Sequence, residues 1–371
     1  MKHNWEIKKL EDIADINYGT RIVQKVSGGF IYPVYGGGGA TFKSDDYNRE
    51  DCLIVSRFAM SKQCTRRVVG KFFLNDSGLT IVPKNNSILQ SFLDVQIIGL
   101  NDKIYSLGKG AAQRNLDIKE LKKLKISFPK SIETQQTIVK ELDLLSTLIN
   151  KQKAQLTELD RLAQSVFYDM FGDPIENEKG WEVRKVGEVC IINPPKSEIK
   201  EMDTETEVSF VPMANVSESG ELELVENRKI KDVWSGFTYF ADNDVLFAKI
   251  TPCMENGKRT IAKQLKNGIG FGSTEFHVLR PKEKVTSNYL FQIISLSDFK
   301  VIAERKMTGS AGQKRVPKTF LEQFEVSVPP LSLQADFAKR IEKIEAQKVL
   351  VMQSIAQSEQ LLASRMQYYF E

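Results

Sequence analysis

The chain repeats itself, and that repetition limits what it can fold into more than any other feature. The segment NWEIKKLEDIADINYGT (4–20) returns as GWEVRKVGEVCIINPPK (180–196), with Trp5 on Trp181, Lys9 on Lys185, Ile16 on Ile192 and Asn17 on Asn193. Further along, KGAAQRNLDIKELKKLKISFP (109–129) returns as GSAGQKRVPKTFLEQFEVSVP (309–329), with Gln113 on Gln313 and Pro129 on Pro329. The offset grows from 176 to 200, so the second copy carries extra residues between its ends. Each copy then runs into about 40 residues of helical pattern. Self-similarity on this scale gives the order globule, helix, globule, helix.

The two helical segments carry matching seams. In the first, Ile138, Leu142, Leu145, Ile149, Leu156, Leu159, Ala163, Val166 and Met170 follow steps of four and three, interrupted by Gln152. In the second, Phe337, Ile341, Ile344, Val351, Ile355 and Leu362 keep that register, with Lys348 and Ser358 as polar breaks. Such spacing lines one face of a helix ~60 Å long and asks for a partner. Pro129, Pro329 and Pro330 help set the starts, and Gly172-Asp173-Pro174 ends the first. Equal seams are buried most simply against each other, as an antiparallel coiled coil; the alternative is that each packs on its own globule. The predicted fold class is α+β: two tandem mixed α/β domains, 1–131 and 172–330, followed by helices at 132–171 and 331–371. Strands are predicted at 52–60, 66–74 and 78–83 in the first domain, and at 244–250, 259–265 and 274–281 in the second. Helical pattern follows at 87–98 and 287–306.

Charge narrows the function. Residues 1–131 hold 21 Lys and Arg against 13 Asp and Glu, a net of +8. Residues 172–330 hold 22 against 24, but unevenly: 198–226 has nine acids and one lysine, while 249–318 has 14 basic residues and five acids. One basic stretch per globule is what two phosphate-contacting surfaces need, although a solvated mixed face looks similar. No apolar run approaches a membrane span, and MKHNWEIKKL lacks the apolar centre of a signal peptide. Cys52, Cys64, Cys190 and Cys253 stand far apart, with no C-x-x-C pair and only two histidines in the chain. A reduced, metal-free cytoplasmic protein is expected.

One motif points to catalysis and then fails. INPPK (192–196, ending on Lys196) begins like the Asn-Pro-Pro-aromatic motif with which DNA adenine methyltransferases hold a flipped base. Lys196 stands where the stacking aromatic belongs, and no Gly-rich loop for S-adenosylmethionine precedes it. A turn stiffened by proline is the expected structure, and the chain is not expected to be an enzyme. Glu275 and His277 share a strand but have no nucleophile or metal constellation beside them, which favours structural roles.

Candidate DNA contacts fall in clusters. Gly36, Gly37, Gly38 and Gly39, between Tyr35 and Thr41, remove side chains where backbone could approach a groove or phosphate; a hairpin turn is the competing reading. Arg57, Arg66, Arg67 and Lys71 form a basic group on or between strands. Arginine suits bidentate reading of guanine, and lysine suits phosphate. In the second copy, Lys249, Thr251, Asn256, Lys258 and Arg259 form a polar loop, while Ser273 and Thr274 open the next strand. Gln113-Arg114 and Gln313-Lys314-Arg315, in the repeated junctions, face either DNA or a partner.

Together these strings resemble the specificity (S) subunits of type I restriction–modification systems over essentially the full length. The early W-E-(I/V)-(K/R) strands carry the likeness, with YPVYGGGGAT (32–41), AKITPCMENGK (248–258), GFGSTEFHVLRP (270–281), GKGAAQR and GSAGQKR. The resemblance implies two target-recognition domains that each read half of a bipartite, asymmetric site on double-stranded DNA. It also implies no catalysis by this chain, helices that clamp two modification subunits carrying S-adenosylmethionine, and restriction subunits that join for cleavage. The specificity chain of a related fused restriction system, or a coiled-coil adaptor that does not bind DNA, are the alternatives.

Overall fold

A computed structural model describes residues 4–110, 113–310 and 312–370; Ala111, Ala112 and Ala311 of the repeated junctions lie outside the described residues. The chain divides into two units, Met1–Ala154 with Met352–Glu371, and Gln155–Val351. Both long helices, Ile132–Phe171 and Leu331–Phe370, contribute to both units.

In the first unit the central sheet has six strands in the order Ala14–Tyr18, Gly78–Pro83, Arg49–Ser56, Thr65–Leu74, Tyr32–Gly36, Gly39–Ser44. A separate ribbon pairs Trp5–Lys9 with Lys125–Pro129, which closes the globule by joining its two ends. One core joins Leu53, Val55, Leu79, Phe92 and Ile97 to Ile138 and Leu142 of the first long helix. Leu362, Met366 and Phe370 of the second long helix pack against that same core. Across the helices, Arg365 and Tyr369 bind Glu141, and Gln152 donates to Ser354 at 2.7 Å.

The second unit reuses this plan. Glu182–Lys185 pairs with Glu325–Val328 as the closing ribbon. A four-stranded sheet runs Cys190–Ile192, Phe276–Pro281, Val245–Ala248, Arg259–Ile261, matching the first four strands of the first unit's sheet. The core joins Phe247, Tyr289, Ile293 and Phe299 to Phe167 and Phe171 of the first long helix and Phe337 of the second. Lys348, predicted as a polar break, is neutralised by Asp160 at 2.9 Å and Glu345 at 3.2 Å. Within each unit the partner positions run in opposite chain order: 141 with 365 and 152 with 354, then 160 with 348 and 167 with 337.

The extra residues of the second copy build a sheet that periodicity did not reveal: Glu226–Lys229, Glu207–Val211, Ile269–Gly272, Thr238–Ala241. It encloses its own core of Ile199, Val208, Phe210, Ile230 and Phe271. The predicted helix at 287–306 is two helices, Ser287–Ser295 and Ser297–Lys306, because Leu296 is extended between them. Strand 52–60 runs instead from Arg49 to Ser56, and the chain then turns through Ala59 at φ 49°.

Each long helix is tied to its globule by a buried glutamine. Gln135 donates to Pro129 O at 2.8 Å and Ser87 O at 2.9 Å, and accepts from Leu89 N at 2.8 Å. Gln334 donates to Pro329 O at 2.8 Å and Lys284 O at 3.0 Å, and accepts from Thr286 N at 2.8 Å. A buried amide that completes three hydrogen bonds fixes the angle at which a helix leaves its support. All four cysteines are free. Among the described residues, no helix is long and apolar enough to cross a membrane.

Candidate nucleic-acid interface

In the first unit the glycine run is a tight hairpin turn, with Gly36 paired to Gly39. Gly36 and Gly37 are buried and committed to the domain: Gly37 N donates to Ser77 Oγ at 3.0 Å, and Gly37 O accepts from Ser56 Oγ at 2.6 Å. Only the tip is open. A side chain at Gly38 would meet nothing, and one at Gly39, where φ is +125°, would come within 3.3 Å of the Arg66 guanidinium. Tyr35 is half-buried, its ring 5.4 Å from that of Phe72, and Thr41 is exposed on the outgoing strand.

The basic group does not form one cluster. Neighbouring residues of a strand face opposite ways, so Arg66 lies beside the glycine tip while Arg67 faces Asp94 at 4.0 Å and Asp143 at 3.9 Å. Burial raises the Asp94 carboxyl, opposed first by the hydrogen bond that Gln90 donates to it and then by the charge of Arg67. Lys71 lies over the Tyr47 ring at 4.5 Å and is raised by its hydrogen bond to Tyr47. Arg57 is half-buried between the rings of Tyr18 and Phe58, at 4.7 and 4.5 Å from their centroids. Arg114 stacks on Tyr105 at 4.8 Å and donates to its carbonyl at 3.3 Å. Backbone bonds gather these parts: Arg57 N to Ser77 O at 2.7 Å, Met60 N to Arg114 O at 2.9 Å and Leu116 N to Arg57 O at 2.8 Å. Hydrogen bonds thus link the glycine turn, Arg57 and Arg114 in one frame; the Arg66 guanidinium lies beside the glycine tip, while that of Arg67 is turned to Asp94 and Asp143.

Sequence reasoning missed Asn101. Its Oδ1 accepts from Cys64 N at 3.0 Å, Thr65 N at 3.1 Å and Thr65 Oγ1 at 3.0 Å, and its Nδ2 donates to Lys62 O at 2.9 Å. One side chain therefore sets the loop that carries exposed Lys62 and Gln63 next to this frame.

In the second unit Lys249, Thr251, Lys314 and Arg315 come together: Thr251 N donates to Lys314 O at 3.1 Å and Val316 N to Lys249 O at 2.9 Å. Lys314, Thr274 and Asn256 are exposed, whereas burial lowers the Lys249 ammonium. Ser273 is half-buried, and its Oγ accepts from Glu275 N at 3.2 Å. Three predicted contacts are engaged inside the fold. Arg315 forms a fork on Glu275, at 2.9 and 2.8 Å, which holds that carboxyl below the usual range. Lys258 donates to Met213 O at 3.2 Å. Arg259 donates to Ser295 Oγ and to the carbonyls of Gly257 and Glu218 and stacks on Phe291; burial takes it down to about 10. The net charge of 249–318 therefore overstates its free cations, since Arg280 is also held by Asp244 and Glu198.

At INPPK, Asn193 and His277 are bonded to each other and to the backbone. Asn193, at φ 55°, accepts from Val278 N at 2.9 Å, so its amide nitrogen faces His277 Nδ1 at 3.2 Å. His277 Nε2 then donates to Val316 O at 2.8 Å, and burial takes the imidazole down to about 4. The ring is a neutral strut. No group of His, Cys, Asp and Glu that could hold a metal occurs among the described residues.

Comparisons with known proteins agree with this geometry. Residues 2–159 and 178–359 match the model of the family described as "Type I restriction modification DNA specificity domain". The chain is 41% identical over 175 residues to the type I restriction enzyme EcoEI specificity subunit of Escherichia coli, covering 46% of this chain and 29% of that one. It is 44% identical over 166 residues to the EcoAI specificity subunit of the same organism, covering 43% and 27%. The chain thus spans less than a third of the length of each of these curated relatives. A crystal structure of the S subunit from M. genitalium superposes with a TM-score of 0.58 at 13% identity, over 99% of this chain and 96% of that one. A structure from work on complex assembly and conformational transition of the type I R-M system superposes at 0.54 and 14% identity, over 98% and 97%. With the family model matched along nearly all of its length, the chain belongs to the family of type I restriction modification DNA specificity domains.

Proposed function

We propose that this chain is the DNA-recognition subunit of a type I restriction–modification complex, with each unit reading one half of a bipartite, asymmetric site. The observation that carries the reading is the duplicated loop-and-junction frame, which holds Arg57 with Arg114 in one unit and Lys249 with Lys314 in the other. Cationic side chains on rigid backbone supply the non-specific capture that phosphate requires. The glycine tip beside Arg66, and the loop carrying exposed Asn256 beside Ser273 and Thr274, supply donors and acceptors of the kind that read base edges.

The chain performs no chemistry in this reading. Two modification subunits bring S-adenosylmethionine and methylate adenine, and restriction subunits join for cleavage, all in the cytoplasm. The long helices pair as an antiparallel coiled coil, dock the modification subunits and fix the gap between half-sites. Support comes from the reversed order of partners within each unit and from the inter-helix bonds of Glu141 and Gln152. The target-recognition domains are 1–131 and 172–330. The test is to express the chain with the methyltransferase subunits encoded beside it and sequence methylated adenine in the host DNA. A single motif of two short halves around a fixed gap is expected, and it should vanish without this chain. Methylation that persists without the chain would overturn the reading.

A further inference from the structure

The two units differ in most of what surrounds their basic residues. The first has the glycine hairpin; the second has an additional four-stranded sheet and a loop closed by Thr251 Oγ1 on Glu255 at 2.9 Å. Yet two backbone bonds recur at the same junction positions, although the loop side is one residue shorter in the second unit. After the equivalent strands Arg49–Ser56 and Val245–Ala248, the chain offers a carbonyl at Arg57 or Lys249 to the amide of Leu116 or Val316, at 2.8 and 2.9 Å. It then donates an amide, from Met60 or Thr251, to the carbonyl of Arg114 or Lys314, at 2.9 and 3.1 Å. The junction partners are 200 residues apart in both bonds, the same offset that relates Gln113 to Gln313. Both junctions also contain a glycine of positive φ close to the glutamine carbonyl, though one position out of register: Gly110 at +113°, three residues before Gln113, and Gly309 at +125°, four before Gln313. Both glutamines are exposed.

Two halves of an asymmetric site differ in bases but share one backbone. An element conserved in geometry between two readers of different sequences is suited to what the halves have in common, and a divergent element to what distinguishes them. We propose that the two junctions, through Gln113-Arg114 and Gln313-Lys314, are equivalent phosphate anchors that set each unit on the duplex without reading sequence. Base choice is left to the unmatched elements. This rests on the DNA-recognition reading and assigns a role within it. Arg114 is aimed by its stack on Tyr105, while Lys314 has no side-chain partner among the described residues.

The test uses the full chain assembled with its methyltransferase subunits. Binding is measured across a salt series, and bound sequences are selected from a random duplex library, for the native protein and for Arg114→Gln, Lys314→Gln, Arg114→Lys and Lys314→Arg. Each Gln variant should lower the steepness of log K against log salt by about 0.9, and the double variant by about 1.8, with the selected motif unchanged. The charge-preserving variants should keep the native slope, which separates loss of a contact from loss of folding. A change in one half of the motif would overturn the proposal by making the junction a base reader. An unchanged slope would overturn it by removing the junction from DNA. Failure of the native complex to select any motif would instead sink the DNA-recognition reading beneath it.

Discussion

Replacing Gln334 by methionine keeps the length of the side chain and removes all of its hydrogen bonds. Pro329 O lies in a buried setting and would be left unpaired, which costs about 1 to 3 kcal/mol. Lys284 O and Thr286 N are only part-buried, so water can partly replace the amide there, at about 0.5 kcal/mol each. The apolar methionine recovers part of this at the fully buried position. The expected net loss is about 2 kcal/mol. Urea unfolding followed by tryptophan fluorescence resolves it by unit, because Trp5 lies in the first unit and Trp181 and Trp234 in the second. In a Trp5→Phe background the second-unit midpoint should fall with unchanged slope. The same substitution at Gln135, read from Trp5, should cost the same, since the three bonds are the same in kind. A loss below about 0.5 kcal/mol at both sites would refute the idea that these amides hold the helices to the globules.

Three more perturbations give independent checks. His277 is folded at about 4 against an ordinary 6.5, so the unfolded chain binds more protons in between, and stability should fall as pH drops from about 6.5 to about 4. The full effect is roughly 3 kcal/mol; urea titrations across that window should show it, and His277→Gln should flatten it. Arg66→Ala should relax one position of one half-site by ~1 to 3 kcal/mol in competition binding, whereas Arg67→Ala should leave the motif intact. Asn101→Ala frees the loop at 62–65 and should loosen selection in that same half only.

The long helices were legible because a sustained seam and flanking prolines are local signals. The repeat marked the first strand of each closing ribbon, Trp5–Lys9 and Glu182–Lys185, but not its partner, because Lys125–Pro129 and Glu325–Val328 lie more than a hundred residues along the chain. Their glutamine ties were visible only as a shared offset, Gln135 to Gln334, that polar composition does not mark. The opposite faces of Arg66 and Arg67 follow from strand alternation, yet contiguous charge had suggested one cluster. The second unit's extra sheet was hidden because Glu207–Val211 pairs in parallel with Ile269–Gly272, some sixty residues away, through short strands with little alternation. Lys258, Arg259 and Arg315 looked available because sequence shows a cation but not the carbonyl or carboxylate that occupies it.

If each unit reads one half of the site, as proposed, the two halves must be separable by substitution. Two altered chains, one substituted at the exposed positions of 35–71 and one at those of 249–275, can each be expressed with the methyltransferase subunits and their methylated adenines sequenced. Each should change one half of the motif and leave the other half and the gap untouched. If both halves changed together in either chain, the two units would not be separate readers.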